Sequence, residues 1–237
     1  MNNEMSANRN YDNRRIRNMA ATRFIFVFIL WGSIMFLSAG TLFYWEAWVV
    51  LAVFSISTGS IGAYFLRHDP GLLERRMRYR EKEREQKRII TFGSVFLLIV
   101  FLLPGFDKRY GWSEVPSGVV ILADFLVVMG YVLFFWVINV NRYASRIVEV
   151  EEGQHVITTG PYALVRHPMY FATSLIFLSL PIALGSYWAF PPACLFPLIL
   201  VARIKNEEKI LLEQLKGYRE YVSTVKHRLI PGLWVPV

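Results

Sequence analysis

Val119-Val-Ile-Leu-Ala-Asp124-Phe-Leu-Val-Val-Met-Gly130-Tyr-Val-Leu-Phe-Phe-Trp136-Val-Ile-Asn139-Val140 is a stretch of 22 residues with one charged side chain. A helix needs about 20 apolar residues to cross a bilayer, so this segment reads as a membrane span. Five more runs resemble it: Phe24–Tyr44, Trp48–Leu66, Ile89–Leu103, Met169–Leu184 and Tyr187–Val201. The first two are long enough by themselves, the third is marginal, and the last two are short and proline-interrupted. Hydrophobic residues make up 54% of the chain and charged residues 19%, against roughly 45–50% and about 25% in soluble domains. A soluble core would have to bury six such runs with too little polar surface to cover them. The expected fold is therefore all-α, a multi-pass transmembrane bundle of about six spans with a short, proline-interrupted final hairpin and a cytoplasmic C-terminal helix.

Lysine and arginine cluster in three places: the tail (Arg9, Arg14, Arg15, Arg17, Arg23), residues 67–88, and the segment from Arg203 to Arg228. The other connections hold few, and the positive-inside rule puts the basic segments in the cytoplasm. Both termini then share that side, which six crossings satisfy. Tyr44, Trp45, Trp48, Tyr110, Trp112, Tyr187 and Trp188 fall at the opposite boundary, where amphipathic rings settle. This divides the chain into a basic tail (1–23), a four-span bundle (24–140) with a basic loop (67–88), and a region over 141–237. A cleavable signal peptide ending near Ser38-Ala39-Gly40 is the competing reading, but the apolar run continues past that point.

The net charge of +8 sits beside apolar spans, where it sets topology and attracts anionic lipid rather than nucleic acid. Residues 75–88 interleave acids with bases, as in a solvated or surface-lying helix. Cys194 is the only cysteine, so no internal disulfide forms. Ser55, Gly59 and Ala63 recur every fourth residue, a spacing that lets helices pack closely in lipid. Asp124 is an ionisable group inside a span, hence a functional candidate by type. Its place near the outer end suits a protonated or hydrogen-bonded structural role instead.

The chemistry concentrates at residues 153–170, Gly-Gln-His-Val-Ile-Thr-Thr-Gly-Pro-Tyr-Ala-Leu-Val-Arg-His-Pro-Met-Tyr. Gly160-Pro161 signals a turn, and Pro168 suits the first turn of a helix. Arg166 and His167 precede that helix, whose first N–H groups favour an anion such as an amino-acid carboxylate. Downstream, Arg203 and Glu207 lie four apart on one helical face, with Glu208 a third of a turn round. Both clusters have bland readings as interfacial anchors and an ordinary surface ion pair.

Gly160-Pro161-Tyr162-x3-Arg166-His167-Pro168-x-Tyr170, followed by Arg203-x3-Glu207-Glu208-x2-Leu211, resembles the signature of the isoprenylcysteine carboxyl methyltransferase family. That family lies within a wider group that includes phospholipid N-methyltransferases. Leu215-Lys216-Gly217-Tyr218-x2-Tyr221 and Arg228–Trp234 resemble the C-terminus of its bacterial members, so the likeness covers roughly the last hundred residues. It implies S-adenosylmethionine as methyl donor at the cytoplasmic face of a bacterial inner membrane, and a lipophilic acceptor entering from the bilayer. It also implies donor binding by His155, Gly160, Pro161, Tyr162, Arg166, His167, Pro168 and Tyr170, closed by Glu207 and Glu208. Arg203 would face the acceptor, with Arg203 and Glu207 carrying catalysis and no metal involved. Gln154 stands where many relatives have a histidine, and His155 follows it. The acceptor implied first is a prenylcysteine-like carboxylate; a phosphatidylethanolamine-type amine is the alternative. A sterol-reductase-like enzyme with a nicotinamide cofactor and a non-enzymatic scaffold or channel are the other readings. Oligomeric state is silent in the sequence.

Overall fold

A computed structural model describes residues 13–77, 84–143, 150 and 153–232. They form helices joined by turns, with no strand among the described residues. The long helices are α1 (Asn13–Ala39), α2 (Trp45–His68), α4 (Arg84–Tyr110), α5 (Ser117–Val140), α6 (Pro168–Ala183) and α8 (Phe196–Gln214). Short helices α3 (Pro70–Arg76), α7 (Phe190–Ala193) and α9 (Tyr218–Thr224) and a 3-10 turn at Gly160–Ala163 complete the described chain.

Three helices, α1, α2 and α5, are long and apolar enough to cross a membrane, and α6 is a shorter apolar helix of 16 residues. Helices suit lipid because every backbone group inside them bonds within its own segment. Large side chains such as Phe26, Ile29, Ile56, Ile121 and Phe125 are more than half exposed along their outer faces. In water so much apolar surface would drive association; in a bilayer it faces hydrocarbon.

Local chemistry sets the helix ends. Arg67 and His68 occupy the last turn of α2, where cations complement the dipole. Asp69 then caps α3, accepting from the Leu72 amide at 2.9 Å, with Pro70 in the first turn. Gly40 adopts φ +67 and ends α1. The apolar tail boundary at Phe24 was therefore not a structural one: α1 begins eleven residues earlier, with Arg14, Arg15, Arg17 and Arg23 on its opening turns. Residues 67–88 likewise contain α3 and the start of α4 rather than a plain loop, although 78–83 lie outside the described residues. So the expected surface helix over 75–88 is described only at its two ends.

The final run, Tyr187–Val201, is also not one helix. It breaks into a turn, α7 with Pro191 and Pro192, and α8, whose apolar part ends at Ala202. Proline lacks the N–H that a continuous helix requires.

α1, α4 and α6 run away from one end of the bundle, while α2, α5 and α8 return to it. At that end Arg23 donates to the Met77 carbonyl at 2.5 Å and Arg75 to the Arg142 carbonyl at 2.8 Å. At the other end Tyr44 Oη donates to the Leu184 carbonyl at 2.6 Å, and Lys108 pairs with Glu46 at 3.1 Å. Buried Asp107 there accepts from the Ser113 amide and hydroxyl, both at 2.7 Å, and from Ser186 Oγ. Met35, Tyr44, Leu51, Phe101, Val127, Ile176 and Leu180 share the main core. α5 and α6 are packed through Gly130, where a Cβ would lie 2.5 Å from Ile176 Cγ1 and 3.2 Å from the Ala172 carbonyl.

Two expectations about the spans meet a different structure. A Cβ on Gly59 or Gly62 would meet nothing within 4 Å. The small-residue stripe therefore borders an open groove instead of a tight helix contact. Asp124 is buried, but both carboxylate oxygens lack a hydrogen-bond partner, so the hydrogen-bonded role is not found.

Candidate functional site

The end of the bundle that gathers Arg23, Met77 and Arg142 also holds a cavity between the 153–170 segment, the polar half of α8, and α9. Its construction starts at Pro168. That residue is the first of α6, with His167 as the preceding cap, so the ring's fixed φ begins the helix where the sequence signal placed it. The amides of the two residues before it are paired with the C-terminal segment. The Arg166 amide donates to the His227 carbonyl and the His167 amide to the Arg228 carbonyl, both at 2.9 Å. The C-terminal segment thus lies along residues 166–167.

The two glutamates part company. Glu208 is buried and does not reach the cavity wall. One of its oxygens accepts from Arg166 Nε at 2.8 Å and lies 3.2 Å from His167 Nε2; the other accepts from Arg228 Nε at 2.8 Å. Burial acts against its charged form. The hydrogen bond and charge of His167, then those of Arg228 and Arg166, outweigh that and lower the carboxyl pKa to about 2. It fastens the Arg166–His167 pair to Arg228 of the C-terminal segment, where sequence placed it as a residue closing the donor site.

Glu207, one position earlier, lines the cavity. It accepts from Tyr170 Oη at 2.5 Å, and Tyr170 Oη in turn accepts from Arg203 Nε at 2.8 Å. Arg203 and Glu207 do share a face, but Tyr170 stands between them. Arg203 lies outside the cavity wall, so a direct hold on an acceptor in this cavity is not what its geometry shows.

Of the other residues singled out by sequence, His155, Tyr162, Arg166, His167 and Tyr170 line the cavity, while Gly160, Pro161 and Pro168 do not. Gly160, at φ +59, sits against α5, where a Cβ would come 3.2 Å from Val140 Cγ2. It shapes the turn that delivers Tyr162, whose hydroxyl accepts from Asn141 Nδ2 at 2.9 Å. His155 Nδ1 is 3.0 Å from Tyr143 Oη.

Sequence reasoning missed Asn141, Tyr143, Val156, Ile157 and Met169 in the wall, and named Gln154, Leu211 and Leu215 only as motif positions. Tyr218 and Tyr221 also line it. Their tail motif was visible as a pattern, but nothing in it said they turn inward. Gly217 makes that possible: at φ +84 it reverses the chain between α8 and α9. Tyr221 then donates to the Tyr162 carbonyl at 2.7 Å.

Two donors are left over. Arg166 Nη2 and Tyr218 Oη are buried on cavity-lining residues and have no hydrogen-bond partner. Buried polar groups are nearly always paired, and leaving one unpaired costs about 1–3 kcal/mol. Burial, then the charges of Glu208 and Glu207, raises the Tyr218 pKa, so the hydroxyl keeps its proton to donate. Burial likewise pushes Tyr162 up to about 12; the Asn141 hydrogen bond and Arg76 charge oppose this, and Glu207 adds to it. The cavity-lining residues therefore carry two unpaired donors, one carboxylate at Glu207, and both polar and aromatic groups. That lining suits a zwitterionic ligand with a flat, apolar part.

No curated protein matches the chain. A family model described as phospholipid methyltransferase matches residues 119–217, so this stretch, which holds every lining residue of the cavity except Tyr218 and Tyr221, is similar to that family of methyltransferases.

Proposed function

We propose that this protein is an integral membrane methyltransferase that takes S-adenosylmethionine and methylates a lipid acceptor, in the first place the amine of a phospholipid head group. One observation carries the reading. Arg166 and Glu207, inside the region similar to phospholipid methyltransferases, and Tyr218, the residue just after it, line one cavity, and Arg166 and Tyr218 each carry a buried unpaired donor. Arg166 and Tyr218 suit the carboxylate of an amino-acid-like donor, Glu207 its cationic portion, and Tyr143, Tyr162 and Leu211 its flat base. When bound, S-adenosylmethionine supplies an electrophilic methyl on a sulfonium.

The protein's own part is positioning, exclusion of water and one proton transfer. An ammonium acceptor must lose a proton before its nitrogen can attack. Glu207 is placed to take it, since it lines the cavity and its Tyr170 partner holds its orientation. Glu208 is not, because Arg166, His167 and Arg228 occupy its oxygens. Leu211 and Leu215 give an otherwise polar cavity an apolar side, where charge interactions are less screened than in water.

A carboxylate acceptor of the prenylcysteine kind is the second reading, favoured by the likeness of the 160–170 and 203–211 motifs to the isoprenylcysteine enzymes. It needs no base, because the acceptor is already ionised. The charge bias supports a cytoplasmic side for the cavity and both termini, and the likeness to the isoprenylcysteine enzymes supports a bacterial inner membrane, with the acceptor arriving from the bilayer. Purified protein incubated with methyl-labelled donor and either phosphatidylethanolamine or a prenylcysteine analogue separates the two by product. Calorimetry with S-adenosylhomocysteine and NADPH tests the class: binding of NADPH alone overturns the proposal, and binding of neither favours a scaffold.

A further inference from the structure

A second recess opens beside the first, between α1, α2 and α3 at the same end of the bundle, with a volume of about 410 Å³. Its body is apolar. Phe24 and Phe54 lie parallel at a centroid separation of 6.1 Å, and the surface around Gly59 and Gly62 is open. Its rim is cationic: Arg17, Arg23 and Arg76 line it, and no acid does among the described residues.

The rim touches the site. Arg76 Nη1 is 3.5 Å from Met169 Sδ, and Met169 is part of the cavity wall. Arg76 also stacks over Phe134 at 5.0 Å from the ring centroid, which fixes its guanidinium at the boundary. Its charge reaches Tyr162 on the cavity side.

An apolar channel crowned by arginines has the complementarity of one lipid class. A hydrocarbon chain fills the body at no polar cost, and a phosphate meets the rim with charge-assisted hydrogen bonds. We propose that this groove binds an acyl chain of the phospholipid acceptor, with its phosphate held by Arg17, Arg23 and Arg76. A two-carbon head group on that phosphate then extends past Met169 toward Glu207. This rests on the methyl-transfer reading for the identity of the occupant as acceptor.

The glycines provide a clean test. Leucine at position 62 enters open space and is a better helix former than glycine, so Gly62→Leu fills the groove without disturbing the fold. Binding of spin-labelled phosphatidylethanolamine to the full chain in detergent, and of S-adenosylhomocysteine by calorimetry, are measured in parallel. The expected result is a roughly tenfold weaker lipid Kd with an unchanged nucleoside Kd. An unchanged lipid Kd in Gly62→Leu overturns the groove even if donor binding and turnover are normal. If the parent protein binds no S-adenosylhomocysteine, the methyltransferase reading fails, and the lipid measurement still decides the groove. Arg17→Gln is expected to weaken phosphatidylethanolamine but not a diacylglycerol with the same chains; equal effects on both remove the phosphate from the proposal. A dimer in the parent that dissociates in Gly62→Leu would assign the groove to a second copy instead.

Discussion

The difference between Glu207 and Glu208 shows how little separates a chemical role from a fastening one. A single step along a helix turns a side chain by about 100°, enough to move from the cavity to the Arg166–His167–Arg228 cluster. Glu208→Gln is expected to lower the melting temperature sharply, since breaking a buried ion pair costs about 3–5 kcal/mol, and donor binding falls with it. Glu207→Gln is expected to leave the melting temperature nearly unchanged while turnover falls by about 10² or more. Thermal melts and rate assays on the pair distinguish the roles. Acid provides a third test. Glu208 ordinarily titrates at 4.5 and is lowered here to about 2. Its contribution is thus fully present above pH 4.5 and fades as pH falls from 4.5 toward 2. The wild-type melting temperature is expected to drop across that window more steeply than that of Glu208→Gln. Tyr218→Phe removes an unpaired buried hydroxyl; S-adenosylhomocysteine binding is expected to weaken by about tenfold, with no loss of stability.

At the scale of elements, the α5–α6 pair positions everything that follows. Gly130 lets the two helices touch backbone to side chain, and α6 starts at Pro168 with Arg166 and His167 immediately before it. Gly130→Ala is expected to cost about 1–3 kcal/mol by overpacking, read as a lower melting temperature and weaker donor binding together. Pro168 and the Gly160-Pro161 turn were legible because proline and glycine act locally. The start of α1 was not. Hydropathy sees where a helix enters hydrocarbon, yet arginine-rich turns such as 13–23 form helix readily outside it. The break at α7 was half legible: the prolines were evident, but whether a helix kinks or ends depends on what packs against it.

For the whole molecule, the alternation of helix direction puts Arg23, Arg142 and the cavity at one end and Tyr44, Lys108 and Tyr187 at the other. In a Cys194→Ala background, single cysteines at Arg14, Gln154 and Lys226 are expected to react with an impermeant maleimide only from the cytoplasmic side. A cysteine at Tyr187 is expected to react only from the other. Labelling of Gln154→Cys and Tyr187→Cys from the same side would defeat the membrane arrangement proposed for this bundle.

The amino-acid order alone determined the membrane character, the helical class and the motifs around Arg166, Tyr170 and Glu207, because each is written in contiguous runs or within one or two helical turns. The tertiary structure decided which of those residues face the cavity, which are spent on one another, and that Tyr218 and Arg166 each keep an unpaired donor. Such facts arise where segments far apart in the chain meet: the C-terminal tail lies against residues 166–167, and Gly217 turns α9 back so that Tyr221 reaches the Tyr162 carbonyl. No local pattern encodes a meeting of that kind, since its energy comes from burial and pairing between elements and not from the preferences of any one of them.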